Sequence, residues 1–229
     1  MIPEQFDLAS MTKYSSAAGE RHLHESMYSC THLFSFPNGE GLKGVAPHIH
    51  SYCDDIELLI EGEIVVPRPH RRGIKVPAPF LIINPTNTVH AFVVAAGNAS
   101  VLGYRSPKSY QGQELLSQWL TEGIITNGSE DRPVFIDLST TRNLVQETRN
   151  TIVRLHAVDG CKIIKSMPYR ERVFFSFEKS IVEISSANNS FELMRHGLTI
   201  LPGQTNVVIR SDKPGTIVEL IAKSGYAEI

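Results

Sequence analysis

Five residues between Gly44 and His90 could do chemistry together. His48 and His50 stand two apart in Gly44-Val-Ala-Pro-His-Ile-His50. In a β-strand residues i and i+2 share a face, so both imidazoles point one way and Ile49 the other. Two imidazoles on one strand are half of a metal site. After the loop Ser51-Tyr-Cys-Asp54, the run Asp55-Ile-Glu57-Leu-Leu-Ile60 can pair back as an antiparallel strand. Asp55 and Glu57 then lie on one of its faces, with Ile56 and Leu58 on the other. Further on, Pro85-Thr-Asn87-Thr-Val-His90 is a turn leading into the apolar strand Ala91-Phe-Val-Val94, and it brings a third imidazole from a distant part of the chain. Three imidazoles and a carboxylate suit a borderline divalent ion and leave positions open for water, dioxygen or substrate.

This spacing resembles the two motifs of the cupin superfamily: His-x-His, four residues, an acid, six residues and a Gly, then Pro-x-Gly-x-x-His. His48, His50, Asp55, Gly62, Pro85 and His90 fall on the matching positions. Four positions depart from the pattern. The usual Glu is Asp55, the Gly after the proline is Asn87, the Gly that opens the second motif is Pro79 and its closing Asn is Val94. Asn tolerates positive φ nearly as Gly does, so Asn87 is a mild change. Asp55 is one methylene shorter than Glu, which leaves Glu57 as its competitor for the acidic ligand position.

The resemblance implies an all-β double-stranded β-helix, or jelly roll, in two lobes. It also implies one divalent transition metal held by His48, His50, Asp55 and His90, with Fe(II) favoured and Mn, Ni, Co or Zn as alternatives. A homodimer formed through sheet edges is a further implication.

The chain has 229 residues, 41% of them hydrophobic, enough for one large β domain or two small ones. Its formal net charge of -2 and its interspersed charges give no basic field for nucleic acid or an anionic membrane. The one basic cluster, His70-Arg-Arg72, reads as a solvated hairpin loop. No stretch near the N-terminus has the layout of a signal peptide and no apolar run approaches bilayer length, so the expected compartment is the cytoplasm. Cys30, Cys53 and Cys161 are too few and too scattered for a disulfide framework. Seven of the nine histidines precede residue 100, which places the metal chemistry in the first half.

The elements that must position these residues follow from periodicity. Residues 1–26 read as an irregular arm with at most one edge strand, and together with the strands up to residue 110 they form the expected metal-binding lobe. Met27 to Phe36 alternates as a strand, and Pro37-Asn-Gly-Glu-Gly41 is a turn. Leu115, Leu116, Trp119 and Leu120 recur at helical spacing before Gly123, which predicts a short helix within a linker over 111–150, with Trp119 as a packing anchor. From 151 to 229 strands return at Thr151–His156, Lys162–Lys165, Arg172–Phe177, Ser180–Ser185, Leu198–Leu201, Asn206–Arg210 and Thr216–Ala222. Their order imitates the first half, with Asn206 where its last histidine stands and no His-x-His before Glu171. A second cupin-like lobe without metal ligands is expected there.

Around the metal, Glu57 is a candidate general base. Tyr104 and His32 are candidates for hydrogen bonding to substrate, and Arg105 for pairing a substrate carboxylate. Cys53, in the loop between ligands, reads first as a small buried hydrophobe. Three functions share these residues. The favoured one is an Fe(II) oxygenase, a dioxygenase acting on a small organic molecule. The second is a redox-neutral isomerase, lyase or decarboxylase using the metal as a Lewis acid. The third is a cupin that binds a small ligand without turning it over. A free acid beside an open coordination position favours catalysis over binding.

Overall fold

The computed structural model describes residues 4–13, 19–37, 43–68, 70–94, 97–108, 113–115, 132–166, 171–184 and 189–223. In chain order these form β1 (Glu4–Asp7), the short helix α1 (Leu8–Lys13), β2 (Gly19–Glu25), β3 (Cys30–Phe36), β4 (Lys43–His50), β5 (Asp54–Glu61), β6 (Glu63–Arg68), β7 (Arg71–Pro77), β8 (Phe80–Asn84), β9 (His90–Val94), β10 (Ala99–Ser106), β11 (Gln113–Leu115) and β12 (Val134–Asp137). The rest are β13 (Leu144–Glu147), β14 (Thr151–Ile164), β15 (Glu171–Ser176), β16 (Ser180–Ile184), β17 (Asn189–Leu193), β18 (Gly197–Pro202) and β19 (Val207–Ala222). Every strand pairing is antiparallel.

Contacts divide the chain into one unit of residues 15–139 and another of residues 1–14 with 140–229. The arm is therefore split between them, because β1 pairs with β18 while β2 pairs with β3. Val134–Asp137, which composition places in the linker, is an edge strand on β8.

The 15–139 unit holds two sheets, β12-β8-β5-β10-β3-β2 and β11-β4-β9-β6-β7. Residues of both meet in a core that includes Phe36, Leu59, Ile64, Ile82, Phe92 and Val101. On the strands that contribute, the same face turns polar toward one end. Along β5 that face reads Leu59, Glu57, Asp55; along β10 it reads Val101, Gly103, Arg105; along β9 it reads Val94, Phe92, His90. The apolar end supplies the burial that stabilises the sandwich, and the polar end holds the candidate site.

No linking helix is seen among the described residues. Gln113–Leu115 form β11 instead, with Leu115 opposite His48, and residues 116–131, including Trp119, lie outside the described residues. Without β11 the ligand strand β4 would end its sheet with unpaired backbone groups, and strand pairing satisfies them.

The other unit is an eight-stranded sheet. Its β14 and β19 run 14 and 16 residues. Each merges two segments that local turn signals had separated. Gly160, at φ 75°, takes up the register shift after Val158, so the pairing continues past it.

Candidate metal centre

Each donor reaches the site through strand geometry. His48 and His50 end β4, His90 opens β9, and His48 is directly opposite His90 in the ladder. Asp55 lies near the start of β5, opposite Asn84 on one side and Arg105 on the other. The turn before His90 is pinned twice. Asn87 donates its N–H to the His50 carbonyl at 2.8 Å, and Thr86 donates from both N and Oγ1 to Asp54 Oδ1 at 2.9 Å. Asn87 has φ 65°, the conformation for which the family motif uses Gly. Gly62 has φ 87°, and a Cβ there would fall 1.9 Å from the Asn98 carbonyl oxygen.

The four donor atoms lie within 4.8 Å of one another, and all four residues are buried. His48 Nε2 is 3.1 Å from His50 Nε2, while Asp55 Oδ2 is 3.1 Å from His50 Nε2 and 3.4 Å from His90 Nε2. An ion about 2.1 Å from two donors at octahedral or tetrahedral angles holds them roughly 3.0–3.4 Å apart, so this spacing fits a metal.

Tautomers decide the matter further. His48 Nδ1 faces the Ala46 carbonyl at 2.8 Å and His90 Nδ1 faces the Thr88 carbonyl at 3.0 Å. A carbonyl only accepts, so each Nδ1 carries the hydrogen and each Nε2 presents a lone pair to the shared point. His90 Nε2 is buried and makes no hydrogen bond of its own.

Burial pushes His48 down to about 3 and lowers His50 as well. Burial works the same way on His90, but the Asp55 and Glu57 carboxyls outweigh it and raise that ring. Asp55 is also opposed by burial, yet Arg105, whose Nε donates to Oδ2 at 3.0 Å, and the two rings hold it well below the usual range. These directions set the metal-free protein's proton inventory. Burial thus favours the unprotonated form of His48 and His50, whereas on His90 the neighbouring carboxyls favour a second proton, at Nε2, which an ion must displace. Metal affinity should therefore rise as pH increases through the His90 value, which lies above the ordinary 6.5, with proton release on binding below it. Titration calorimetry in buffers of different ionisation enthalpy reads this directly, and uptake without proton release would contradict the arrangement.

The other candidates are distributed by alternation. Glu57 shares the face of Asp55, is buried outside the donor set, and accepts from Asn84 Nδ2 at 3.4 Å. Burial pushes its carboxyl up to about 7, making it a proton carrier at neutral pH. Arg105 is on the same face and engages Asp55. Tyr104, its neighbour, is fully buried opposite Ile56 and Thr31 on the reverse face, so the structure does not bring it to the centre. Cys53 is buried, its thiol raised by burial, and it is outside the donor group. His32 is on the inner face but meets Glu20 and Cys30. Asn84, which orients Glu57, had no signal in the sequence beyond lying opposite a strand still to be paired.

No known protein-family profile matches the chain, and no curated protein matches it in sequence. Its fold does match solved structures. Salicylate 1,2-dioxygenase from Pseudaminobacter salicylatoxidans superposes with TM-score 0.68 at 12% identity, covering 96% of this chain and 84% of that one. A mutant of the same enzyme in complex with gentisate gives 0.69 at 11% identity, covering 96% and 82%. A deletion mutant of Bacillus subtilis oxalate decarboxylase gives 0.64 at 13% identity, covering 98% and 78%. The chain has a cupin fold. Within this fold, His48, His50, Asp55 and His90 lie together as a group that could hold a metal ion.

Proposed function

We propose that this cupin is a metal-dependent enzyme acting on a small organic molecule, with Fe(II)-dependent oxygenation as the favoured reaction. The metal is held by His48, His50, Asp55 and His90 in the 15–139 unit, and the second unit keeps the scaffold without the ligands. Glu57 carries the reading. A buried acid beside the donor set, pushed up to about 7, is what catalysis needs and what a closed binding site does not.

When bound, the ion supplies a Lewis-acidic and, for Fe(II), redox-active centre. The chain's own groups do the rest. The carbonyls of Ala46 and Thr88 hold two rings in the ligating tautomer, Arg105 orients Asp55 and offsets its charge, and Glu57 takes or returns a proton under the guidance of Asn84. Glu57 also favours a second reading, a redox-neutral lyase or decarboxylase, because proton transfer to a carbanion needs such a group.

Two measurements separate these roles. Asp55→Ala should weaken metal binding, whereas Glu57→Gln should keep the metal and lower turnover by about 10²–10⁴-fold; metal loss on changing Glu57 alone would move the ligand assignment to it. Salicylate, gentisate and oxalate are the first substrates to try, since they are named by or bound to structural neighbours. With a consumed substrate, activity should follow Fe(II) loading and vanish without dioxygen. Full anaerobic turnover by a Zn(II) or Ni(II) form would sink the oxygenase and leave the lyase.

A further inference from the structure

A second group of donors lies on the edge of the same six-stranded sheet. His22 of β2 is directly opposite His32 of β3, and Glu20 is two residues along β2. The His22 and His32 rings are 4.4 Å apart between centroids, Glu20 Oε1 is 2.8 Å from His32 Nδ1, and the three donor atoms lie within 4.8 Å of one another. His32 is buried and the other two are exposed. On its far side His32 Nε2 lies 3.2 Å from Cys30 Sγ, whose thiol burial pushes up to about 12, so the sulfur stays neutral. In the metal-free protein His32 Nδ1 and the Glu20 carboxylate share a proton, and an ion that displaces it would leave Nε2–H to donate to that sulfur and Nδ1 to ligate beside Glu20 and His22. That is how a ligating histidine is oriented by a partner on its other nitrogen.

We propose that Glu20, His22 and His32 form a second divalent-cation site, separate from the buried four-residue centre and taking a borderline ion such as Zn(II). Two imidazoles and a carboxylate are its donors, and water completes the coordination. Glu20 and His22 are exposed, so their side chains can close on an ion without disturbing the core. β2 ends its sheet with one partner, β3, and an ion bound across the pair clamps it there. His32 stands in the same cross-strand row as Glu57, with only Gly103 between them, so the clamp fixes the rim of the polar face.

The test is a calorimetric titration of the metal-free full chain with Zn(II) alone, joined to hydrogen exchange of residues 19–25. The intact protein should show a tight event and a weaker one, and the weaker one should slow exchange across β2. His22→Ala and Glu20→Gln should each weaken the second event by at least about tenfold, leave the tight event intact and abolish the added protection. His48→Ala should do the opposite, so loss of the tight event alone bears on the catalytic centre and not on this site. A single event in the intact chain would overturn the proposal by showing a proton-bridged pair. A second event unchanged in both variants would overturn it as adventitious surface binding.

Discussion

His90→Ala should lose nearly all of the ion that the intact chain retains after desalting, an effect of at least about a hundredfold in affinity. His48→Ala and His50→Ala should do the same. Removing an outer-shell partner of a metal site already costs roughly 10–100-fold, and these rings are donors themselves. His90 is the most exposing case, because its Nε2 is buried, lacks a hydrogen bond and faces Asp55 Oδ2 at 3.4 Å. Without it, Asp55 keeps Arg105 and His50 as partners, so the pocket survives while the coordination sphere opens. His70→Ala is the control, since that histidine sits on the exposed turn between β6 and β7. Mass-spectrometric metal analysis of the four variants decides the matter, and retention of a full equivalent by His90→Ala would remove it from the ligand set.

Glu219→Ala should destabilise the C-terminal unit by about 3–5 kcal/mol, the cost typical of stranding one member of a buried ion pair. Glu219 and Arg172 are both fully buried. Arg172 reaches Glu219 Oε1 from Nε at 2.6 Å and from Nη2 at 2.5 Å, and its Nη1 donates to the Thr205 carbonyl at 2.8 Å. His156 Nε2 meets the other carboxylate oxygen at 2.6 Å. Removing Glu219 leaves a guanidinium without its counter-charge among Phe174, Leu201 and Ile221. The paired change Arg172→Met with Glu219→Leu should recover most of the loss, because nothing charged is then left behind.

Burial pushes Glu219 up, but His156 and Arg172 outweigh it and lower its value below the ordinary 4.5. A depressed folded-state value means that the unfolded chain takes up the proton first as pH falls. The contribution of Glu219 is thus complete above the unfolded value and fades as pH drops through the folded one. Urea denaturation of the intact chain and the two variants, at neutral pH and again in acid, reads both effects. A loss below about 1 kcal/mol for Glu219→Ala would show that the ion network contributes little.

What was legible in the sequence was local or periodic. His48 and His50 share a face because strand side chains repeat every two residues, and the offsets to Asp55 and His90 pick out, before any strand is paired, the acid and the third imidazole that the structure brings to them. The cupin fold followed from the same spacing. Alternation also separates Tyr104 from Arg105, since consecutive strand residues cannot both face the histidine cluster, but which of them does depends on β10 pairing Arg105 with Asp55.

Register was decided only in three dimensions. Glu20, His22 and His24 alternate as though all faced one way, yet the shift between His22 and His24 turns His24 to the side of Thr31 and leaves Glu20 and His22 on that of His32. Leu115 belongs to a helical repeat in sequence and to a strand in space, because the open edge of β4 needs its hydrogen bonds. The Nδ1 contacts to Ala46 and Thr88, the raised carboxyl of Glu57 and the buried Arg172–Glu219 pair all depend on burial or on which distant groups meet. Composition carries neither, since desolvation and partner distance come into being only when the strands close into sheets.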